Sequence, residues 1–134
     1  MLLIESEFKT IDFQEEDALL VTRWKPTSST LDEPTFKEQI LIWLDTIKTH
    51  CPQKLFIDTT KFNFIITPEI QQWFDDQIFT AYPDAGVQKK AFLMPEDLFA
   101  QVGIQQATQA PKNLTFKVNY FDDEQKAMDW LNAS

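Results

Sequence analysis

Short apolar runs alternate with amphipathic stretches along most of this chain, and that alternation restricts its fold more than any other feature. "ALLVTRW" (18–24), "KLFID" (54–58), "KKAFLMP" (89–95) and "LTFKVNYF" (114–121) have the length and the apolar or β-branched content of strands. Residues 2–13 carry further strand-like apolar residues interrupted by charge. Between the runs lie helical patterns. Over 35–50, Phe36, Ile40, Trp43, Leu44 and Ile47 recur at helical spacing, and Pro52 marks the end. At 67–81, Thr67 is placed to cap free amides, Pro68 suits the first helical position and Glu69 favours the positive end of the dipole. Ile70, Trp73, Phe74, Ile78 and Ala81 form the expected buried stripe, closed by Pro83 to Gly86.

Pro95-Glu96-Asp97 open another helix, with an interruption expected at Gly103 because Ile104 falls off the face defined by Leu98 and Val102. Asp122 to Glu124 open a last helix that turns Ala127, Met128, Trp130 and Leu131 inward, and residues 25–34 read as a loop. Parallel neighbours need a crossover of a dozen or more residues, usually a helix. The pattern therefore predicts an α/β fold: a single mixed, mostly parallel sheet covered by helices, in the order ββαβαβαβα. At 134 residues without a linker or repeat, one domain over 1–134 is expected. Twelve Phe and four Trp supply ample material for a core.

The net charge of −9, with Lys89-Lys90 as the longest basic run, disfavours nucleic acid and anionic membranes as partners. The single cysteine, Cys51, excludes an internal disulfide. The opening apolar run is too short for a signal peptide and lacks a basic flank, and no stretch reaches the ~20 apolar residues of a membrane span. The expected location is the cytoplasm.

Chemistry is sparse. Neither Gly86 nor Gly103 lies in a phosphate-binding glycine pattern. His50 adjoins Cys51, but neighbouring residues rarely turn their side chains on one another, and a histidine satisfying the end of a helix is the simpler reading. With one His and one Cys a zinc site would need mostly carboxylates, so no metal and no cofactor is expected. Carboxylates cluster at 96–97 and 122–124, where helix capping accounts for them, and Asp75-Asp76 lie on a polar helical face. No pair is singled out for acid–base catalysis. Ile42 and Phe79 fall nearly opposite the buried stripes of their helices, which marks them as a candidate interaction surface for another protein or a second copy in a homodimer.

With this order of elements the chain resembles the SpoIIAA-like domain family of STAS/SEC14 type. The resemblance rests on "LFIDTTKFNFIITPEIQQW", "KKAFLMPEDLFAQVGIQQ" and "YFDDEQKAMDWL". It covers nearly the whole length, and its motifs are architectural. In anti-sigma-factor antagonists of this fold, a strand ending in Asp leads to an Asp-Ser-Ser-Gly turn whose second serine is phosphorylated. Counted without a gap from Asp58, Ile66 takes the place of that Asp, Thr67 of the first Ser, Pro68 of the phosphorylated Ser and Glu69 of the Gly. Proline accepts no phosphate, so the resemblance implies a module that has lost the switch.

The resemblance also implies a region of interest at the strand carboxyl ends: Asp58, Thr59, Thr60, Phe62, Phe64, Ile66 and Thr67, near Met94 and Tyr120. The first expectation is a non-enzymatic, cytoplasmic interaction or regulatory module. A binder of a small apolar ligand or lipid at these strand ends is the alternative, and a hydrolase comes third. An interaction module calls for a surface patch involving Ile42 or Phe79 and no deep pocket. A ligand binder calls for a cavity of about 300 Å³ or more, lined by the 62–66 connector.

Overall fold

The computed structural model describes residues 1–108 and 116–133. Six strands form one sheet whose spatial order follows the chain: β1 (Leu2–Glu5), β2 (Lys9–Gln14), β3 (Leu19–Trp24), β4 (Lys54–Asp58), β5 (Lys89–Leu93) and β6 (Lys117–Phe121). The first three pair antiparallel and the last four are parallel, so the sheet is mixed. Residues 114–115 of the expected last strand lie outside the described residues.

The opening segment corrects the expected order, since residues 2–13 form two strands where one was read. Ser6 breaks the run: its hydroxyl accepts from the backbone N–H groups of Phe8 and Lys9 at 3.3 and 3.2 Å, folding the chain into a tight turn. The chain therefore runs βββ before its first helix.

Helix α1 (Glu33–His50) starts two residues before the expected Thr35. Asp32 caps it, accepting from Thr35 N–H at 2.9 Å, and Pro34 is tolerated within the first turn, where its missing N–H costs nothing. The rest of the expected 25–34 loop is a 3₁₀ turn over Pro26–Thr30. Cys51 ends the helix in the left-handed conformation at φ 50°.

After β4, an irregular connector leads to α2 (Pro68–Trp73), capped by the Thr67 hydroxyl on Ile70 N–H at 3.3 Å. The helix then widens into a π turn over Phe74–Ile78, tightens to 3₁₀ over Phe79–Ala81, and continues as α3 (Tyr82–Ala85) up to Gly86 at φ 87°. That wide turn decides where Phe79 goes. In a regular helix Phe79 lies opposite the buried stripe, but a π turn adds a residue and rotates everything after it. Phe79 is 0 % exposed, beside Phe74 and Tyr82, so it leaves the candidate interaction surface.

Helix α4 (Leu98–Thr108) brings two corrections. It runs through Gly103 without a break, and it buries the face opposite to the expected one. Ile104, Ala107 and Thr108 point inward, while Leu98, Phe99 and Val102 are exposed. Helix α5 (Glu124–Asn132), capped by Asp123, buries Ala127 and Leu131 and half-buries Met128 and Trp130.

Each parallel crossover is right-handed in nearly all proteins. In a sheet whose strands follow chain order, that rule sends successive crossover helices to one face. One large core accordingly joins Leu20, Leu55, Ile57 and Phe92 of the sheet to α1, to the helical segment 68–85 and to Ile104 of α4. The opposite face (Leu19, Val21, Phe56, Ala91, Leu93) is covered, among the described residues, by α5.

Candidate functional site

β4 and β5 end side by side, held by Thr59, whose N–H and hydroxyl both donate to the Leu93 carbonyl at 2.9 and 2.7 Å. From there the chain leaves the sheet for eight residues, 60–67, without regular secondary structure. Four bonds anchor this connector early: the Thr60 N–H and hydroxyl donate to the Asp58 carboxylate at 3.0 and 2.6 Å, Phe62 N–H to the Thr59 carbonyl at 3.1 Å, and Asn63 N–H to the Ser28 hydroxyl at 2.8 Å. Aromatic packing does the rest. Phe62 meets Trp24 edge-on at 5.0 Å between centroids, and Phe64 stacks on Phe36 at 4.4 Å. Ile65 projects outward, 85 % exposed.

Facing the connector is the start of α4. Asp97 accepts from Phe99 N–H at 3.3 Å, and the Gln101 amide donates to the Pro95 carbonyl at 2.7 Å. Between the two segments lies a cleft of about 360 Å³, walled by residues 62–66 on one side and by Phe99, Ala100, Gly103 and Ile104 on the other. Gly103 matters to its shape, because a Cβ built there meets no atom within 4 Å. Phe99, 90 % exposed, stands at the rim, with Asp97 the one carboxylate of the wall.

Next to the cleft, lined mostly by residues of the larger core, is a second cavity of about 50 Å³. Phe62, Ile66 and Ile104 have a surface on each space. Its polar lining comes from Thr22, Thr59, Thr108 and Lys90. The Lys90 ammonium lies over the rings of Trp43, Phe79, Tyr82 and Phe92, 4.9–5.1 Å from their centroids, and donates to the Tyr82 hydroxyl at 2.8 Å. No carboxylate pairs with it among the described residues. Burial disfavours the charged form and lowers its pKa from 10.5 to about 7. Lys9 is a second buried lysine, donating to the Gln39 carbonyl over the Trp24 ring, with its pKa likewise lowered to about 7 by burial.

The residues singled out in the sequence are not one site. Thr59, Phe62, Phe64 and Ile66 gather around the cleft and the inner cavity. Asp58 is turned away, because alternate residues of a strand face opposite sides of the sheet. Its carboxylate accepts from Thr60 and from Arg23 at 3.0 Å, and Arg23 also holds Glu124 of α5 at 2.9 Å. Asp58 and Thr60 thus belong to the side covered by α5. The two carboxylates hold the guanidinium above its ordinary pKa, the Glu124 hydrogen bond contributing most.

Thr67 serves as the cap. Ile42 is 37 % exposed on α1. His50 packs its ring on Phe13, while the Cys51 thiol turns to the Lys48 carbonyl. Among the described residues no group of three or more His, Cys, Asp or Glu side chains is placed to hold a metal, and no helix is long and apolar enough to cross a membrane.

Lys90 was legible only as part of a basic pair. The signal that finds it is its place in "KKAFL": in a strand covered on both faces, one of two consecutive lysines must be buried. The exposed face of α4 escaped because Leu98 and Val102 share one side of the helix, and that apolar pair defines the expected inward face. Comparison with protein-family models, with curated proteins and with solved structures finds no match for this chain.

Proposed function

We propose that this protein is a non-enzymatic, cytoplasmic module that binds a small apolar ligand at the carboxyl ends of β4 and β5. The observation that carries this reading is the cleft of about 360 Å³ walled by the 62–66 connector and α4. It falls within the usual size of ligand pockets, roughly 300–1,000 Å³, and it is walled by the segments that follow the carboxyl ends of β4 and β5. Kinship with SpoIIAA-like domains belongs to the same proposal. With Pro68 at the place of the phosphorylatable serine, occupancy of the cleft takes over from phosphorylation as the signal.

Native mass spectrometry of protein purified from its own host tests the reading by looking for a co-purifying small molecule. A filled variant separates site from fold. Gly103→Leu projects a side chain into the open space of the cleft while improving helix propensity by up to about 1 kcal/mol. It is expected to keep the fold and to abolish uptake of an apolar probe. Unchanged uptake by a folded Gly103→Leu protein would remove the cleft from consideration.

A second reading is favoured by a separate observation. Ile65 and Phe99 are exposed apolar side chains of the cleft wall, and Leu98 and Val102 of the same helix α4 are exposed as well, a concentration that soluble surfaces seldom carry without a partner. On that reading the module docks another protein, or itself, through this rim. Concentration-dependent sedimentation that disappears in Phe99→Ser would favour it over the ligand reading.

A further inference from the structure

Resting on the ligand reading above, the geometry points to the kind of ligand. We propose that the cleft takes a single-chain amphiphile with a carboxylate head, and that the head passes inward beside Phe62, Ile66 and Ile104 to pair with the Lys90 ammonium in the inner cavity.

Charge complementarity carries the argument. Lys90 is fully enclosed, its nitrogen lies over four aromatic rings, and among the described residues its one hydrogen-bond partner is the neutral Tyr82 hydroxyl. An ammonium has three donors, so bonding capacity remains. A buried cation without a counter-ion is costly, and pairing it with an anion offsets that cost. The cavity also offers the Thr22 hydroxyl. It accepts from the Trp43 indole at 2.9 Å, and its own hydrogen has no acceptor among the described residues. A carboxylate oxygen supplies one. The cavity of about 50 Å³ exceeds the ~15 Å³ that one water needs on the same measure, enough for a three-atom head.

The rest of the site fixes the orientation. Asp97 at the mouth and the net charge of −9 repel an anion left outside, so the head has one favourable place, inside. The chain then lies against Phe64, Phe99 and Ala100 in the outer cleft. Entry asks for movement of side chains on a connector with few backbone bonds. Among the side chains packed on the ammonium only Tyr82 titrates, and burial holds its pKa well above the ordinary value. Lys90 is therefore the group that takes up a proton as a carboxylate arrives.

Calorimetric titration of the full chain with decanoate and with decanol tests the proposal. The head contributes a charge-assisted bond, so decanoate is expected to bind about ten- to a hundred-fold more tightly than decanol. Lys90→Met is expected to abolish that difference. In the wild type at pH 8, repeating the decanoate titration in buffers of different ionisation enthalpy is expected to show net proton uptake, a readout that needs no variant. Equal affinity for the two probes, or decanoate binding without proton uptake, overturns the role of Lys90. Decanol binding that Gly103→Leu abolishes would then still leave the cleft reading standing. Failure of both probes to bind overturns the cleft reading and this inference together.

Discussion

Lysine burial makes a quantitative demand on how stability depends on pH. Lys90 titrates at about 7 in the folded protein and near 10.5 when exposed in the unfolded chain. Between those values the unfolded state binds more protons, so stability must rise with pH. The sign is fixed: the contribution of Lys90 is complete above the unfolded pKa and is lost as pH falls toward 7. The slope is about 1.4 kcal/mol per pH unit for each such lysine, and the whole interval amounts to roughly 5 kcal/mol as an order of magnitude.

Lys9, lowered to about 7 by the same cause, adds a second contribution. Urea unfolding followed by tryptophan fluorescence at several pH values from 7 to 9.5 measures both. Lys90→Met is expected to remove about half of the upward slope, and Lys9→Met the other half. Deleting the Lys90 amine also takes a partner from the Tyr82 hydroxyl, at a cost of about 1–3 kcal/mol. That cost shifts the curve without tilting it, so the slope is the diagnostic. A wild-type stability flat over this range, or a Lys90→Met slope equal to that of the wild type, would refute the argument that these amines are desolvated. Above about pH 10 exposed tyrosines ionise in the unfolded chain while buried Tyr82 resists, so the rise ends there.

Other substitutions test single elements. Phe79→Ala should cost about 3–5 kcal/mol in equilibrium unfolding, as for a core aromatic. A cost below about 0.5 kcal/mol would return Phe79 to the surface. Thr67→Ala removes the α2 cap and should lower stability by about 1 kcal/mol, with a matching fall in melting temperature. Cys51→Gly relieves a left-handed residue at the end of α1 and should raise stability by roughly 0.5–1 kcal/mol, measured by the same denaturation.

Legibility followed the physics of each segment. α1 was plain because Phe36, Ile40, Trp43, Leu44 and Ile47 form one uninterrupted stripe, all of it buried. The start of α2 was equally plain, because Thr67 and Pro68 are local signals that act within one turn. The first strands were merged because the turn at Ser6 is made by a side-chain hydroxyl and not by a Gly or Pro. Phe79 was placed outside because a π turn leaves no trace in the spacing of residues, and only the packing of Phe74 and Ile78 against the sheet calls for it.

Local sequence thus determined that strands and helices alternate, where most of them begin, and that the parallel strands carry helical crossovers. These follow from periodicity and capping, which act over a few residues. The tertiary structure alone decided which face of α4 meets the sheet, which side of it Asp58 joins, and that Lys90 stands among four rings beside a cavity. Those outcomes depend on surfaces far apart in the chain coming together. A short apolar run does not record which neighbour will cover it.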